Sequence, residues 1–178
     1  MIDLRQKGLP NAIIVDGSPF LINTDFRVWI KFSEMVKSGK VKADDLEFLF
    51  VKEMPLVDFS KEILEFFENK NSVPRQRESS TDAVIDYIID GEYIVSSFMQ
   101  AYGIDLTTCD MHWHLFKALL VGLPNDTKMK EIISMRSWKK STKKEEQIRQ
   151  ELKDDWALPR NDVSQETISE INDLFYNS

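Results

Sequence analysis

The sequence predicts one mostly α-helical domain over residues 1–178, built from about seven or eight helices that follow a small N-terminal β-hairpin. The length of 178 residues is close to that of a single domain. Along most of the chain, apolar residues recur at the three- and four-residue spacing of an amphipathic helix. One early segment, AIIVDGSPFLI, instead joins two short β-prone runs. Hydrophobic residues form 42% of the chain and charged residues 30%, which excludes a disordered or fibrous class.

Turn and capping residues delimit the elements in the first half of the chain. Asp16 and Gly17 tolerate the positive φ of a tight hairpin turn, and Pro55 disfavours helix in the residue before it. The predicted elements are a hairpin over 12–22, a helix over 25–38 with Thr24 as N-cap, a helix over 44–53, and a short helix carrying Phe59, Ile63, Phe66 and Phe67. Residues 69–80 contain one apolar residue and a proline, and are predicted to form a mobile surface loop.

Turn and capping residues also delimit the elements in the second half of the chain. Apolar residues at helical spacing over 81–102, followed by Gly103, predict the central and best-buried helix. Further helices are predicted over 110–120 with Asp110 as cap, from 126 or 127 to 135, from 141 or 142 to 156, and over 164–176.

Charge and cysteine content narrow the class of protein. The 23 Lys and Arg against 30 Asp and Glu give a formal net charge of -7, which repels phosphate backbones and disfavours nucleic acid as a partner. Cys109 is the single cysteine, so no intramolecular disulfide can form. The first residues offer no signal-peptide core, and no apolar run approaches the roughly 20 residues of a membrane span. We therefore expect a protein of a reducing cytoplasm that contacts no membrane.

A metal site is one interpretation of Cys109, His112 and His114. Residues two apart on a helix point about 200° from one another, so the two imidazoles cannot face one ion if both lie on the helix. We expect one inward and one outward histidine. The sequence predicts neither a metal site nor a cofactor.

No set of residues indicates catalysis. The chain lacks a G-x-S-x-G elbow, a P-loop and a G-x-G-x-x-G motif. Asp82, Asp86 and Asp90 recur every four residues, which predicts a solvated outer helix face better than a metal-binding ridge. An enzyme is the class that the sequence favours least, and no catalytic residue is predicted.

The most uneven charge lies where Arg136, Lys139, Lys140, Lys143 and Lys144 place five positive charges within nine residues. This basic turn offers electrostatic contact to an acidic partner or to RNA. A solvated loop, neutralised by neighbouring acidic residues, is the simpler explanation. Arg136, Lys139 and Lys140 are the candidate residues for electrostatic contact, although Arg136 has a second interpretation as a structural arginine that bonds a helix C-terminus.

The predicted helix over 110–121 is apolar around much of its circumference. Such a helix requires deep burial, or burial on two sides by different elements, one of which could be another chain. Trp113, Phe116 and Leu120 are therefore candidate partner-binding residues. Burial of Trp113 wholly within its own chain would remove that role.

Two stretches, DYIIDGEYIVSSFMQAYGIDL and MHWHLFKALLVGLPNDTKMKEIISMR, carry a resemblance to a known family. The first ends in Y-G-I-D-L, and the second places the aromatic pair Trp113 and Phe116 before L-x-G-L-P and I-I-x-x-R. Together with the N-terminal GSPFLINTDFR, these stretches make the chain over most of residues 12–138 resemble tail-region proteins of long-tailed bacteriophages of Gram-positive hosts. That family is named for a phage gene product fifteen.

The resemblance implies a non-enzymatic role in tail morphogenesis. Members are usually interpreted as tail assembly chaperones, which coat the tape measure protein until the tail tube polymerises around it. The implied partners are the tape measure protein, the tail tube protein and, in a homo-oligomer, further copies of the chain. The implied location is the host cytoplasm, with the protein absent from the mature virion. The alternatives are a structural tail or connector component retained in the virion, and a helical nucleic-acid-binding regulator, which only the basic turn supports.

Overall fold

A computed structural model describes residues 4–39, 41–68, 84–137 and 146–158. Within these residues the chain forms seven helices and one two-stranded antiparallel hairpin, which confirms the predicted mostly α-helical fold class. The elements are β1 (Ala12–Val15), β2 (Ser18–Leu21), α1 (Phe26–Lys37), a 3-10 helix (Ala43–Leu49), α2 (Ser60–Glu68), α3 (Gly91–Tyr102), α4 (Trp113–Val121), α5 (Lys128–Ser137) and α6 (Glu146–Asp155).

The described residues belong to two compact units. The first contains the hairpin, α1, the 3-10 helix, α2 and residues 111–116, and the second contains α3, residues 117–121, α5 and α6. Helix α4 thus begins in the first unit and ends in the second. A single domain over 1–178 stays a prediction. The predicted loop over 69–80, the start of the helix predicted to end at 156, and the last predicted helix over 164–176 lie outside the described residues.

The hairpin turns at Asp16 and Gly17, as predicted. Their φ angles of 48° and 80° are both positive, as a two-residue type I′ turn requires. The turn pairs Val15 with Ser18 and thereby sets the register of the two strands. Ile13 and Val15 consequently share one side of β1, where they are buried and β1 contacts α2.

Aromatic side chains fill the core of the first unit. The Trp29 ring of α1 lies with its centroid 4.7 Å from that of Phe66 in α2 and 5.7 Å from that of Phe32. Its indole N–H donates to the Asn23 carbonyl at 2.8 Å, which satisfies the buried polar end of the ring. Helices α1 and α2 are therefore joined through one fully buried tryptophan.

Helix α1 begins one residue later than predicted. Asp25 is the N-cap instead of Thr24, and its carboxylate accepts from the Arg27 backbone N–H at 2.8 Å. Thr24 uses its carbonyl to accept the Trp113 backbone N–H at 2.7 Å. The helix ends at Lys37, one residue before the predicted end, and Gly39 after it has the positive φ of 67° that follows many helix C-termini.

The helix predicted over 44–53 is shorter and of a different type. It is a 3-10 helix that ends at Leu49, because Phe50 adopts an extended conformation. Phe50 pairs with Ile22 in an antiparallel bridge beside the hairpin. Phe50 thus pairs with a distant segment of backbone, although local periodicity assigned it to a helix.

Helices α3 and α5 pack against each other in the second unit. The residues buried there are Ile94 and Phe98 of α3 with Met129 and Ile132 of α5. The Met129 backbone N–H donates to the Ser97 hydroxyl at 3.1 Å. Because the first N–H groups of a helix have no partner within it, this bond fixes the start of α5 to α3.

Helix α3 starts at Gly91, whereas the sequence pattern predicted a start at 81. The Asp86 carboxylate accepts from the backbone N–H groups of Ile88 and Ile89, each at 2.9 Å. The Asp90 carboxylate in turn accepts from the Asp86 N–H at 2.9 Å. Aspartate side chains that bond nearby backbone offer the chain an alternative to helix, and here they close a turn before α3.

Candidate partner-binding surface

The three apolar candidate residues on α4 are core residues. Trp113 and Phe116 are 0% and 1% exposed, and Leu120 is buried as well. The Trp113 indole stacks on Phe67 with centroids 5.3 Å apart, and its N–H donates to the Phe67 carbonyl at 3.0 Å. Phe116 stacks on Phe26 at 4.8 Å. The three side chains therefore expose almost no surface that a partner could contact in this fold, and their partner-binding role stays a prediction.

The opposite side of α4 is exposed. Leu115 and Val121 are large apolar side chains with exposed surface, and Ala118 between them is exposed too. Trp113 and Phe116 therefore lie on the buried side of α4. The opposite side of the helix is exposed in the described part of the chain.

Arg136 has the structural role that was its second interpretation. It lies in the last turn of α5, and its two terminal nitrogens donate to the Asp90 carboxylate at 2.6 and 2.8 Å. One of them also donates to the Val84 carbonyl at 3.1 Å, and Nε donates to the Trp156 carbonyl at 2.6 Å. These four hydrogen bonds hold the Arg136 guanidinium inside the second unit. Lys139 and Lys140 lie outside the described residues.

The interpretation of the recurring aspartates as a solvated face was wrong for Asp90. Its side chain is fully buried and forms the ion pair with Arg136, while Asp86 closes the turn before α3. Asp82 lies outside the described residues. Helical spacing misled here because the residues from 84 to 90 are not helical.

The two histidines lie at the start of α4, where the helix begins at Trp113 instead of 110. His112 precedes the helix, and its Nδ1 accepts from the His114 backbone N–H at 3.0 Å. With Nδ1 as acceptor, Nε2 carries the proton and donates to the Pro10 carbonyl at 2.8 Å. His114 is buried, with Nε2 at 2.8 Å from the Phe66 carbonyl oxygen. The expectation of one inward histidine holds for His114, but the ring of His112 lies only 5.1 Å from it.

The local environment favours the neutral form of His112. Burial lowers the pKa of this imidazole, and the hydrogen bond to Pro10 opposes that shift only in part. In the described ranges, no group of three or more His, Cys, Asp or Glu side chains is placed to hold a metal ion. None of the helices in the described part of the chain is long and apolar enough to cross a membrane.

The outer side of the hairpin is an uncharged apolar surface that the sequence reasoning missed. Side chains alternate along a strand, so the neighbours of the buried Ile13 and Val15 point outward. Ile14 is 57% exposed, Leu21 is 41% exposed and Val51 is 61% exposed. We call this surface the hairpin face, and its members are Ala12, Ile14, Pro19, Leu21 and Val51.

The geometry of the hairpin face follows from backbone pairing. Ala12 is paired with Leu21 and Ile14 with Pro19, which places these four side chains on one side of the two strands. The Val51 N–H donates to the Leu21 carbonyl at 3.0 Å, so Val51 extends the same side past β2. The signal for this face was present in the sequence, because AIIV is apolar at every position, whereas a strand with one solvated side alternates apolar and polar residues.

A family model described as Bacteriophage Gp15 protein matches residues 6–158 of the chain. The chain belongs to this family. Every helix and strand described above lies within the matched residues, so the family resemblance seen in the sequence is confirmed for the whole described fold. A comparison with curated proteins and one with solved structures each found no match. The family membership makes this a phage protein.

Proposed function

We propose that this Gp15 family member is a tail assembly chaperone that binds the tape measure protein and keeps it soluble during tail morphogenesis, without catalysing a reaction. The observation that carries the proposal is the hairpin face, an apolar surface without charged members on a chain of net charge -7. Exposed apolar patches of this kind mark sites of protein interaction. Membership of a phage protein family supports a role in the phage life cycle.

The chemistry of the hairpin face suits an apolar stretch of another chain. A tape measure protein, as the family resemblance implies, is a very long, largely helical and apolar chain that aggregates when its surface is bare. Binding of such a chain would bury apolar surface of Ile14, Leu21 and Val51. Each Å² of apolar surface that is removed from water favours binding by roughly 25 cal/mol. Association costs translational and rotational freedom of both chains. A face of five residues therefore gives each copy only a low affinity. Weak binding by many copies allows tail tube protein to displace them.

The proposal places the protein in the host cytoplasm and outside the mature virion, because a chaperone is released when the tube closes around the tape measure. Contacts between copies, and hence any homo-oligomer, arise where neighbouring copies lie side by side on the tape measure. The net charge of -7 keeps unbound copies apart in solution. No nucleic acid, membrane, metal or cofactor takes part in this mechanism.

Co-expression with the tape measure protein of the same phage tests the proposal. We expect affinity purification to recover a soluble complex, and its mass to show several copies of this protein per tape measure. Expression of the tape measure alone is the control and should leave it insoluble. A tape measure that stays insoluble in the presence of free, folded Gp15 family protein contradicts the proposal.

Purified virions separate the chaperone from a structural tail component. A chaperone should be absent from them, whereas a tail or connector component should be present at a fixed ratio to the tail tube protein. Mass spectrometry of the particles measures that ratio directly.

A further inference from the structure

Helix α6 is fastened to its unit at its C-terminal end, through Trp156. The Trp156 carbonyl accepts from Arg136 Nε at 2.6 Å. Its ring meets the ring of Tyr93 edge to face, with centroids 5.5 Å apart, and Lys128 Nζ lies 4.7 Å from the centroid of its ring. One residue therefore ties α6 to α3 and α5 by three different kinds of contact.

The Arg136 and Lys128 side chains, which contact Trp156, are also held by contacts that do not involve α6. Both terminal nitrogens of Arg136 are bonded to the buried Asp90 carboxylate, and one is also bonded to the Val84 carbonyl. Lys128 forms an ion pair with Glu131 at 3.0 Å, one turn along the same helix. Departure of α6 would leave these contacts intact, and water would replace the Trp156 carbonyl at Arg136 Nε.

The described side chains of α6 contribute little to a core. Leu152 is 41% exposed, Asp154 is exposed and Trp156 is half-buried. In α3, by contrast, Ile94 and Phe98 are buried. Segments that bury few apolar side chains open at a lower free energy than the core of the same unit.

We propose that α6 is a detachable strap, which opens as a unit while α3 and α5 remain folded. Its release uncovers a preformed seat made by Tyr93, Lys128 and the Nε–H of Arg136. In the closed state, Trp156 covers these three groups.

Hydrogen exchange measured by mass spectrometry on the full chain tests the strap. In the wild-type protein we expect peptides over 146–155 to exchange at least about tenfold faster than peptides over 91–102, because local opening is cheaper than unfolding of the unit. Trp156→Ala should accelerate exchange in 146–155 by about another tenfold and leave 91–102 unchanged. Leu152→Ala is the matched control on the same helix and should have a much smaller effect.

Two further results decide the proposal. Lys128→Met removes the cation over the Trp156 ring and the exposed ion pair with Glu131, which lies within α5 and does not involve α6. It should therefore accelerate exchange in 146–155 by a smaller factor than Trp156→Ala, and it serves as the test if Trp156→Ala fails to fold. Equal exchange of 146–155 and 91–102 in the wild-type protein, or acceleration of both segments together in Lys128→Met, would show that α6 belongs to the cooperative core and would overturn the strap.

Discussion

The Asp90 carboxylate and the Arg136 guanidinium form a two-point ion pair inside the second unit, with Oδ2–Nη1 and Oδ1–Nη2 distances of 2.6 and 2.8 Å. Their side chains are 0% and 6% exposed. The pair joins the residue before α3 to the last turn of α5. Because a buried charge without its partner is costly, each residue depends on the other.

Asp90→Asn should therefore destabilise the protein by about 3–5 kcal/mol, since it leaves the Arg136 charge buried and uncompensated. Urea denaturation followed by circular dichroism measures the loss. Glu131→Gln is the matched control, because the ion pair of Glu131 with Lys128 is exposed and its loss should cost below about 1 kcal/mol. Equal, small losses in the two variants would show that the buried pair does not hold α3 to α5.

Phe116→Ala should destabilise the protein by about 3–5 kcal/mol, because it opens a cavity in the aromatic core against Phe26. Leu115→Ala changes the neighbouring, exposed residue of α4 and should cost below about 1 kcal/mol. Thermal unfolding of the two variants compares them. A Phe116→Ala protein with wild-type stability that fails to bind the tape measure would return Phe116 to the interface.

Replacing Ile14 and Val51 together by Thr should leave stability within about 1 kcal/mol of wild type, because threonine keeps the β-branched shape and both positions are exposed. The yield of soluble tape measure complex should fall severalfold, because the hairpin face loses apolar area. Leu4→Ser is the control, since Leu4 is exposed but outside the hairpin face. An unchanged yield from the double variant would exclude the hairpin face as the binding surface.

Acid should weaken the fold through His112. Burial lowers the pKa of this imidazole below the ordinary value of about 6.5, so the unfolded chain binds the proton more tightly than the folded chain. The contribution of His112 to the free energy of unfolding is thus complete above about pH 6.5 and is lost as the pH falls through the folded pKa. Protonation also removes the Nδ1 acceptor that caps α4.

His112→Asn keeps a capping acceptor but cannot titrate in this range. Denaturation at a series of pH values should show a shallower loss of stability below pH 6.5 in this variant than in wild type. Identical slopes would mean that His112 titrates equally in the folded and unfolded chains.

Gly103→Ala should destabilise the protein by about 1 kcal/mol, because Gly103 ends α3 in the left-handed region with φ 66°. Gly91→Ala at the start of the same helix is the matched control. A Cβ there meets no atom within 4 Å, and alanine favours helix, so the change should be neutral or stabilising. Thermal unfolding compares the two, and a similar loss in both would show that the backbone at Gly103 relaxes.

The elements that the sequence predicted correctly are those with a local cause. Asp16 and Gly17 favour a type I′ turn between two apolar runs, and Gly39 and Gly103 follow helix ends because glycine adopts positive φ at low cost. The elements that it placed wrongly have a distant cause. Phe50, for example, was predicted to be helical but pairs with Ile22 beside the hairpin.

The candidate site shows the same division. The apolar circumference of α4 correctly indicated strong burial, but hydropathy cannot distinguish a side chain that meets its own core from one that meets a partner. The backbone pairing of Trp113 with Thr24 turns Trp113 and Phe116 inward. Adjacent isoleucines point to opposite sides of β1, and only the packing of β1 on α2 decides that Ile13 is buried and Ile14 is exposed.

The sequence by itself determined the fold class, the hairpin, the end of α3 at Gly103 and the family, because each depends on short-range periodicity, turn residues or motifs. Tertiary structure alone decided that Asp90 and Arg136 are buried together, that Trp113 is a core residue and that Ile14 is exposed. The reason is physical: burial and charge pairing depend on residues far apart in the chain, which only the folded backbone brings within contact distance.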